Sequence, residues 1–335
     1  MPSLANNIWH LPQSSKREFG VATYPATAQA IADCADKLKQ GALLALPTET
    51  VYGLAGDATN GDAIAAIYTT KARPQFNPLI CHVADMKAAR AIGRFNEQAE
   101  KLAAAFWPGP LTLVVPRQAD CPVDPLASAG LDTIALRIPA HETAIKLLRV
   151  VARPLVAPSA NPSGRLSPSS AAHVAAMLPD IDVLDGGACT IGLESSIIGC
   201  LDDTPLWLRA GGLARADIEA CLGTKLAEPP EETTAQARLA PGRLARHYAP
   251  QSGLRLNAET ARENELLIGF GATAEPCFAN LSATGDLAEA AANLFSVLHA
   301  ADDAAQESGK GLAIMAIPME ALGEAINDRL ARAAA

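Results

Sequence analysis

Residues 133–160, TIALRIPAHETAIKLLRVVARPLVAPSA, contain a strand, a helix and a second strand in direct succession. TIALRIP and PLVAPSA are short apolar runs that end near proline, which is typical of buried strands. Between them, HETAIKLLRVVA (141–152) is long enough for a helix and carries its apolar side chains on one side. This order indicates an α/β domain in which helices cover a sheet.

The pattern continues to both sides of this stretch, but not as a regular alternation. Upstream we predict a helix at 26–40, strands at 42–47 and 78–83, helices at 61–71, 85–92 and 96–107, and a strand at 111–117. Downstream we predict a helix at 168–178, paired strands at 195–201 and 205–211, and a helix at 215–222 that Gly223 ends. This mixed order favours a mixed sheet over a doubly wound fold.

The composition changes near residue 225 and predicts a second domain. Residues 226–250 are rich in proline and polar clusters and lack an apolar period, as expected of a linker. A strand at 265–271, a helix at 286–308, a strand at 311–318 and a helix at 323–334 follow. We therefore divide the chain into an N-terminal extension (1–24), a first α/β domain (25–225), a linker (226–250) and a smaller α/β domain (251–335).

Charge and composition limit the classes of function. The 335 residues are 49% hydrophobic and carry a formal charge of −9, which argues against a protein that coats nucleic acid through phosphate contacts. A local electropositive pocket remains compatible with that charge. The sequence has neither an apolar run of about 18 residues nor a signal-peptide core, so we expect a cytoplasmic protein without a membrane span. Its seven scattered cysteines lack a CxxC pair, which predicts reduced thiols.

Familiar nucleotide and hydrolase motifs are missing from the sequence. It contains no GxxxxGK[ST], GxSxG or HExxH. GFGATA (269–274) imitates a dinucleotide fingerprint, but Pro276 stands where the helix should begin. A bound nucleotide must therefore be held in another way.

One turn-to-strand junction, KARPQFNPLICHV (71–83), is unusually rich in polar groups. Within twelve positions it contains Lys71, Arg73, Asn77 and His82. A solvated loop with an internally bonded histidine is the simpler interpretation. However, Pro74 and Pro78 stiffen the loop and so limit the entropy lost on fixing its side chains. In a strand, Ile80 and His82 share one face, so His82 can emerge beside a neighbouring site.

Two other segments place polar side chains at predicted strands. PTETVYGL (47–54) puts Thr48, Glu49, Thr50 and Tyr52 just beyond a strand end, where their hydroxyls could instead satisfy a local turn. In TIALRIP, Thr133 and Arg137 share a face of the strand. An arginine among apolar residues needs an anionic partner, which can be a buried carboxylate or the ligand of an open site.

Loops after the later strands add more donors. VAPSANPSGRLSPSS (156–170) offers the side chains of Ser159, Asn161, Ser163, Ser167 and Ser169. These can cap a helix or surround phosphate oxygens. Ser195 and Ser196 lie at the start of one predicted strand, and Arg209 lies at the end of the next. Within the linker, the segment PGRLARHYAP (241–250) contains Arg243, Arg246, His247 and Tyr248. We interpret that cluster as a segment that folds back onto the first domain.

Together these residues predict one pocket rich in Arg, Lys, Ser, Thr and Asn, with few carboxylates nearby. Such a pocket suits a polyanion together with a small polar ligand. It does not suit a hydrolase that needs a paired nucleophile and base.

The ordered motifs PTETVYGL, KARPQFNPL, WPGPLTLV, TIALRIP, PSANPSG, DGG…GLESSI, LRAGG and PGRLARHYAP resemble the threonylcarbamoyl-AMP synthase family in its two-domain form, Sua5. The resemblance is strong over residues 25–250 and looser beyond. It implies a YrdC-like twisted mixed sheet with a large concave positive cavity. It also implies a smaller Rossmann-like α/β domain at the C-terminus.

The resemblance further implies an activity and a set of site residues. The family makes L-threonylcarbamoyladenylate and pyrophosphate from L-threonine, bicarbonate and ATP with Mg²⁺, and partner proteins use the product to make N6-threonylcarbamoyladenosine in tRNA. ATP would contact Lys71, Arg73, Asn77, Thr133, Asn161, Ser169, Arg209, His247 and Tyr248. Threonine would contact Thr50, His82, Arg137, Ser159 and Ser195. Lys71 and Arg73 would stabilise charge, and neither a dedicated acid or base nor a protein metal site is expected.

Two non-catalytic alternatives remain open at this point. The same pocket shape could belong to a module that binds double-stranded RNA or tRNA, or to a ribosome-associated factor. The charge of −9 and the absence of basic runs weigh against a tight, stable nucleic-acid complex.

Overall fold

The computed structural model describes residues 22–74, 76–229 and 247–335. These residues form a large mixed sheet and a smaller parallel sheet, both covered by helices. The α/β class and the two-domain organisation predicted from the sequence are thus observed.

The large sheet has ten strands in the order β1-β8-β2-β3-β7-β4-β6-β5-β9-β10. Its strands are β1 (Thr23–Pro25), β2 (Leu44–Leu46), β3 (Gly53–Asp57), β4 (Ile80–His82), β5 (Leu111–Pro116), β6 (Thr133–Arg137), β7 (Leu155–Val156), β8 (Asp182–Asp185), β9 (Ser196–Gly199) and β10 (Leu206–Arg209). Parallel pairs such as β4/β6 and β5/β9 alternate with antiparallel pairs such as β5/β6 and β9/β10. The predicted mixed sheet and the predicted strand pair at 195–211 are therefore confirmed.

Helices cover both faces of this sheet. They are α1 (Ala28–Lys39), α2 (Gly61–Thr70), α3 (Met86–Ile92), α4 (Glu97–Phe106), α5 (Glu142–Val151), α6 (Ala171–Met177) and α7 (Arg215–Leu222). Because side chains alternate along a strand, Leu44 and Leu46 of β2 pack with α1 and α5, whereas Ala45 packs with the core beneath α2, α3 and α4.

Five strands were absent from the sequence prediction: β1, β3 and β8 of the large sheet, and two strands of two residues each, at 254–255 and 279–280, in the second domain. Strand β3 reads GLAGD, and its glycines and aspartate are poor strand formers, so the segment resembled a turn. All five of its residues are nevertheless buried, because β3 pairs with β2 on one side and β7 on the other. Strand pairing therefore overrides local propensity here.

The second sheet has four parallel strands in the order β11-β14-β12-β13, in keeping with the expected Rossmann-like unit. The strands are β11 (Leu254–Arg255), β12 (Glu265–Gly269), β13 (Ala279–Asn280) and β14 (Gly311–Ile314), and the helices are α8 (Leu287–Ser308) and α9 (Gly323–Ala334). The Asp286 side chain accepts from the amides of Ala288 and Glu289 and so begins α8, and Gly309 ends it at φ +65°.

Helices α8 and α9 pack directly against the first domain. The Trp207 indole donates to Glu324 of α9 at 2.9 Å, and the ring of His299 on α8 lies 3.1 Å from the carbonyl oxygen of Ser167. Gly192 has φ +71°, and a Cβ there would lie 2.4 Å from the carbonyl oxygen of Ala291. Glycine is therefore required where α8 approaches the loop before β9.

The predicted domain limits are only partly within the described residues. Of the linker at 226–250, residues 230–246 lie outside them, as do residues 1–21 of the N-terminal extension. Both described ends of the linker contact the first domain: the Ala227 carbonyl accepts from the Trp207 amide, and the Ala249 amide donates to the Gly164 carbonyl, each at 2.8 Å. Within the described ranges, none of the helices combines the length and the apolarity that crossing a bilayer demands.

Candidate functional site

A cavity of about 50 Å³ lies on the face of the large sheet that carries α1 and α5. Its wall is built from strand ends and the loops that follow them, because β4, β6, β7 and β10 all end beside it. Predicted site residues in the wall are Thr50, Arg73, His82, Arg137, Ser159, Ser195, Arg209, His247 and Tyr248. Segments far apart in sequence therefore meet at one place.

His82 reaches the cavity through the alternation predicted for its strand. Cys81 lies in the apolar core, whereas Ile80 and His82 on either side of it line the cavity. Burial, together with the neighbouring Arg137 guanidinium, lowers the pKa of His82 to about 3. Its Nδ1 lies 3.2 Å from the carbonyl oxygen of Ile80. The imidazole is thus neutral at physiological pH and can accept a hydrogen bond.

Arg137 both forms a buried ion pair and lines the cavity. Its guanidinium donates to the Gly109 carbonyl (3.2 Å), the Thr50 hydroxyl (2.9 Å) and Glu49 Oε1 (2.6 Å). The other oxygen of Glu49 is buried and lacks a hydrogen-bond partner among the described residues. Of the two partners left open for Arg137, the buried carboxylate is observed, and the ligand of an open site stays a prediction for a residue that lines the cavity.

Lys71 and Arg73 are buried cations without a carboxylate partner among the described residues. Ala72 between them adopts a left-handed backbone conformation with φ +48°. Lys71 Nζ donates to the carbonyls of Ser159 and Asn161, both at 2.5 Å. Burial lowers the pKa of Lys71 well below its usual value and that of Arg73 to about 10. Desolvation outweighs the attraction of Glu194 for Lys71, so an additional anion that binds beside these cations would raise both pKa values again.

Arg73 also shapes the loop that precedes β4. Its Nε donates to the Asn77 carbonyl at 3.3 Å and its Nη2 to the Pro78 carbonyl at 3.1 Å. The loop therefore wraps around a guanidinium, and this contact, together with the two prolines, holds the cation at the cavity wall.

Arg209 and Ser195 approach the cavity from the β9/β10 pair. Arg209 donates from Nε and Nη2 to the Ser195 carbonyl at 3.1 and 2.7 Å, and Nη2 lies 3.2 Å from the Ser195 hydroxyl. That hydroxyl is also 2.7 Å from the Thr112 hydroxyl. Burial lowers the pKa of Arg209 to about 10. The pair supplies a cation and a fixed hydroxyl to the same wall.

Two carboxylates belong to the site: Glu194 lies in the cavity wall, and Glu49 pairs with Arg137. Glu194 accepts from the Ser167 hydroxyl at 2.6 Å and from Arg329 Nε of α9 at 2.9 Å. Burial opposes ionisation of Glu194, but Arg329 and Arg209 outweigh it and lower the pKa. The Ser167 hydroxyl is therefore bound to a carboxylate rather than free for phosphate.

The sequence prediction did not include Glu194 and Arg329 among the site residues, although the sequence around each of them pointed to a role. Glu194 directly precedes Ser195 in GLESSI. Arg329 lies on the buried stripe of α9 between Ile326 and Ala333, where a cation needs a partner.

His247 and Tyr248 lie in the cavity wall, as the folding-back hypothesis requires. Tyr248 adopts φ +62°, and its ring lies 4.0 Å from the ring of His247 and 5.8 Å from that of Phe295 on α8. The His247 amide donates to the Arg332 carbonyl of α9 at 3.2 Å. A cavity of about 50 Å³ exceeds one water's share of liquid volume, about 30 Å³, but is far too small for a nucleotide.

Five predicted site residues lie outside this wall: Lys71, Asn77, Thr133, Asn161 and Ser169. Lys71, Asn77 and Asn161 form the buried layer next to it, where Asn161 donates to the carbonyls of Pro162 and Arg165. The Ser169 hydroxyl is 3.4 Å from His173 Nδ1. Thr133 begins β6, about 13 Å along the strand from Arg137. Their proposed contacts with ATP stay predictions, and Arg243 and Arg246 lie outside the described residues.

The described part of the chain contains no group of three or more His, Cys, Asp or Glu side chains that could hold a metal ion. Glu194, the carboxylate in the cavity wall, already accepts from Arg329 and Ser167. The described residues of the site thus fit a metal ion whose ligands are mostly phosphate oxygens and water better than a metal ion held mainly by protein carboxylates.

Two family models match the chain in succession. The Sua5_yciO_yrdC model, described as "Telomere recombination", matches residues 36–211. The Sua5_C model, described as "Threonylcarbamoyl-AMP synthase, C-terminal domain", matches residues 213–335.

Two of the similar proteins are named threonylcarbamoyl-AMP synthase. Threonylcarbamoyl-AMP synthase of Bacillus subtilis is 42% identical over 230 residues, which are 67% of this chain and 65% of that protein. The Pyrococcus abyssi enzyme of the same name is 43% identical over 219 residues, 64% of each chain. The aligned region thus spans somewhat less than two thirds of either relative. The crystal structure of P. abyssi Sua5 complexed with L-threonine matches with a TM-score of 0.83 and 34% identity, covering 94% of this chain and 97% of that one.

Proposed function

The chain belongs to the Sua5–YciO–YrdC family and carries the Sua5 C-terminal domain, and from this premise we propose that it is an L-threonylcarbamoyladenylate synthase. The proposed substrates are L-threonine, bicarbonate and ATP, and the products are L-threonylcarbamoyladenylate and pyrophosphate. Relatives named threonylcarbamoyl-AMP synthase and a similar structure with bound L-threonine support the assignment.

The observation that carries the proposal is the pair of buried cations, Lys71 and Arg73, that lack a carboxylate partner among the described residues. Two such charges are costly to bury unless an anion accompanies them. Arg209 adds a third cation, which lines the cavity together with Arg73. A triphosphate is an anion of matching charge, and guanidinium groups bind phosphate oxygens with good geometry.

Threonine would occupy the part of the cavity around Arg137 and His82. Arg137 is held by Glu49 and Thr50, so its orientation is set before the ligand arrives. Its charge can attract the α-carboxylate of threonine. The neutral imidazole of His82 can accept a hydrogen bond from the amine or the hydroxyl of threonine. The adjacent hydroxyls of Ser159 and Ser195 can complete the polar contacts.

The reaction needs charge neutralisation and alignment more than acid–base catalysis. The amine of threonine first combines with bicarbonate to form a carbamate, and water leaves. A carbamate oxygen then attacks the α-phosphorus of ATP, the bond between that phosphorus and the bridging oxygen to the β-phosphate breaks, and pyrophosphate departs. Lys71, Arg73 and Arg209 would reduce the repulsion between these anions and stabilise the charge on the leaving pyrophosphate. Fixed positions for both reactants supply much of the remaining acceleration.

His247 and Tyr248 would gate the cavity. Since a cavity of about 50 Å³ is too small for ATP, the wall must open, and we propose that these two side chains move outward when ATP enters. With ATP in place they could return and exclude water from the labile carbamate.

We propose that Mg²⁺ accompanies ATP, with phosphate oxygens and water as most of its ligands. When bound, it would neutralise charge on the phosphates. We also propose that the reaction takes place in the cytosol and that tRNA-modification proteins take over the unstable product to form N6-threonylcarbamoyladenosine.

The test is pyrophosphate release from ATP, Mg²⁺ and bicarbonate with each amino acid offered in turn. We expect release only with threonine and only when bicarbonate is present. Release that is independent of threonine would refute the proposal. Filter binding of tRNA at low and physiological salt serves as the second arm. Tight, salt-sensitive binding without ATP turnover would instead favour a nucleic-acid-binding module.

A further inference from the structure

Arg329 belongs to the second domain, yet its guanidinium contacts the cavity wall of the first. Its Nε donates to Glu194 Oε2 at 2.9 Å, and its Cζ lies 5.3 Å from the centre of the Tyr248 ring. The side chains of Arg329 and Glu194 are 1% and 9% exposed, so water screens this ion pair very little. Arg329 is therefore in direct contact with two residues of the cavity wall.

Glu194 poses an electrostatic problem for a site that binds a polyphosphate. Its carboxylate lines the same cavity as Arg73 and Arg209, and its pKa is lowered, so it is ionised. A buried negative charge repels phosphate strongly, because the effective dielectric constant inside a protein is low. An uncompensated Glu194 would thus oppose the binding of ATP.

We propose that Arg329 is a positioning residue that neutralises Glu194 and so allows the cavity to accept the triphosphate of ATP. This inference rests on the proposed function. The Ser167 hydroxyl, which donates to Glu194 Oε1 at 2.6 Å, fixes the other side of the carboxylate. The second domain then contributes to ATP binding through charge, without contact between α9 and the nucleotide.

The geometry of Arg329 supports a role beyond holding two domains together. Its Nη1 donates to Asp328 at 2.8 Å, whereas its Nη2 is buried and has no hydrogen-bond partner among the described residues. A buried ion pair with an unsatisfied donor stabilises a fold less than apolar residues of similar volume would. The domain interface also has its own polar contact, between Trp207 and Glu324, that does not reach the cavity. The ion pair between Arg329 and Glu194 is thus better explained by the charge balance of the site than by the stability of the domain interface.

The charge hypothesis predicts effects of opposite sign for the two partners. Arg329→Met removes the cation that pairs with Glu194 and leaves a buried carboxylate in the wall without that partner. Glu194→Gln removes the negative charge, and the amide oxygen can still accept from Ser167. A merely structural pair predicts instead that either substitution weakens ATP binding to a similar extent.

The experiment measures threonine-dependent pyrophosphate release by the full chain and, separately, threonine binding by calorimetry. We expect Arg329→Met to raise KM for ATP about tenfold or more, while Kd for threonine changes less than about twofold. We expect KM for ATP in Glu194→Gln to be no higher than in the wild type. The double variant Glu194→Gln/Arg329→Met should recover KM for ATP to within about threefold of the wild type. Glu324→Gln, a matched substitution on the same helix, should change neither constant.

An unchanged KM for ATP in Arg329→Met, or a rise in Glu194→Gln equal to that in Arg329→Met, would overturn the inference. If Arg329→Met does not fold, as judged by circular dichroism, Glu194→Gln decides alone, and a higher KM for ATP overturns the inference. A wild-type chain without threonine-dependent release refutes the proposed function and the inference with it. An active wild type with the contrary variant pattern refutes the inference only.

Discussion

Replacing Arg73 by alanine should strongly reduce pyrophosphate release while the chain still folds. Arg73 is 8% exposed, lines the cavity and donates to the carbonyls of Asn77 and Pro78. It has no carboxylate partner among the described residues, so a bound phosphate would be its natural counter-charge. The substitution therefore affects stability and activity through different contacts.

The loss of stability can be estimated from the two hydrogen bonds. Each contributes about 0.5–1.5 kcal/mol net, so their removal costs about 1–3 kcal/mol of unfolding free energy. The Asn77 carbonyl keeps a donor, the Tyr68 hydroxyl at 3.1 Å, which limits the loss. Since domains are stable by about 5–15 kcal/mol, the variant should remain folded.

The loss of activity should be much larger. A hydrogen bond between charged groups contributes about 1.5–3 kcal/mol, and a guanidinium that binds phosphate through two such bonds contributes about 3–6 kcal/mol. At about 1.36 kcal/mol for each factor of ten, kcat/KM for ATP should fall by about 10²- to 10⁴-fold.

The assay is threonine-dependent pyrophosphate release, with urea unfolding measured in parallel. Arg117→Ala is the matched control, because Arg117 donates to the Val123 carbonyl at 2.6 Å and the Ser128 hydroxyl at 2.7 Å but does not line the cavity. It should lose similar stability and keep its turnover. Wild-type turnover in Arg73→Ala, or an equal loss in Arg117→Ala, would contradict the assignment of Arg73 to ATP.

Three further predictions concern other parts of the structure. Arg137→Lys should raise KM for threonine about tenfold or more and leave KM for ATP unchanged, because an ammonium group cannot reproduce the hydrogen bonds of the guanidinium to Gly109, Thr50 and Glu49. Equal changes in both constants would argue against a role of Arg137 in threonine binding. Ala72→Gly should raise the free energy of unfolding in urea by up to about 1 kcal/mol, because alanine at φ +48° is strained, and a loss of stability would contradict this. Burial lowers the pKa of His82 to about 3, so between pH 6.5 and 3 the unfolded chain binds a proton that the folded chain does not. The free energy of unfolding should therefore decrease as the pH is lowered from 6.5 to 3, by up to about 1.4 kcal/mol per pH unit. His82→Gln should reduce this dependence on pH, measured by urea titrations at each pH.

Much of the local structure could be predicted from periodicity and end signals. The helix at 141–152 appears as α5, Glu142–Val151, because its apolar stripe and length leave few alternatives. The placement of Ile80 and His82 opposite Cys81 follows from the alternation of side chains in any strand. Strand β3 escaped prediction, since its glycines are acceptable in a strand only when neighbours pair on both sides.

The sequence by itself determined which residue types the site contains: lysine, arginines, hydroxyls and a histidine at strand ends and in the linker. Only the tertiary structure decided which charges compensate one another. Arg137 pairs with Glu49, and Glu194 pairs with Arg329 from the other domain, 135 positions along the chain. Lys71 and Arg73 find only carbonyl oxygens among the described residues. The physical reason is that the energy of a buried charge depends on groups within a few ångströms in space, and local patterns along the chain carry no record of those distances.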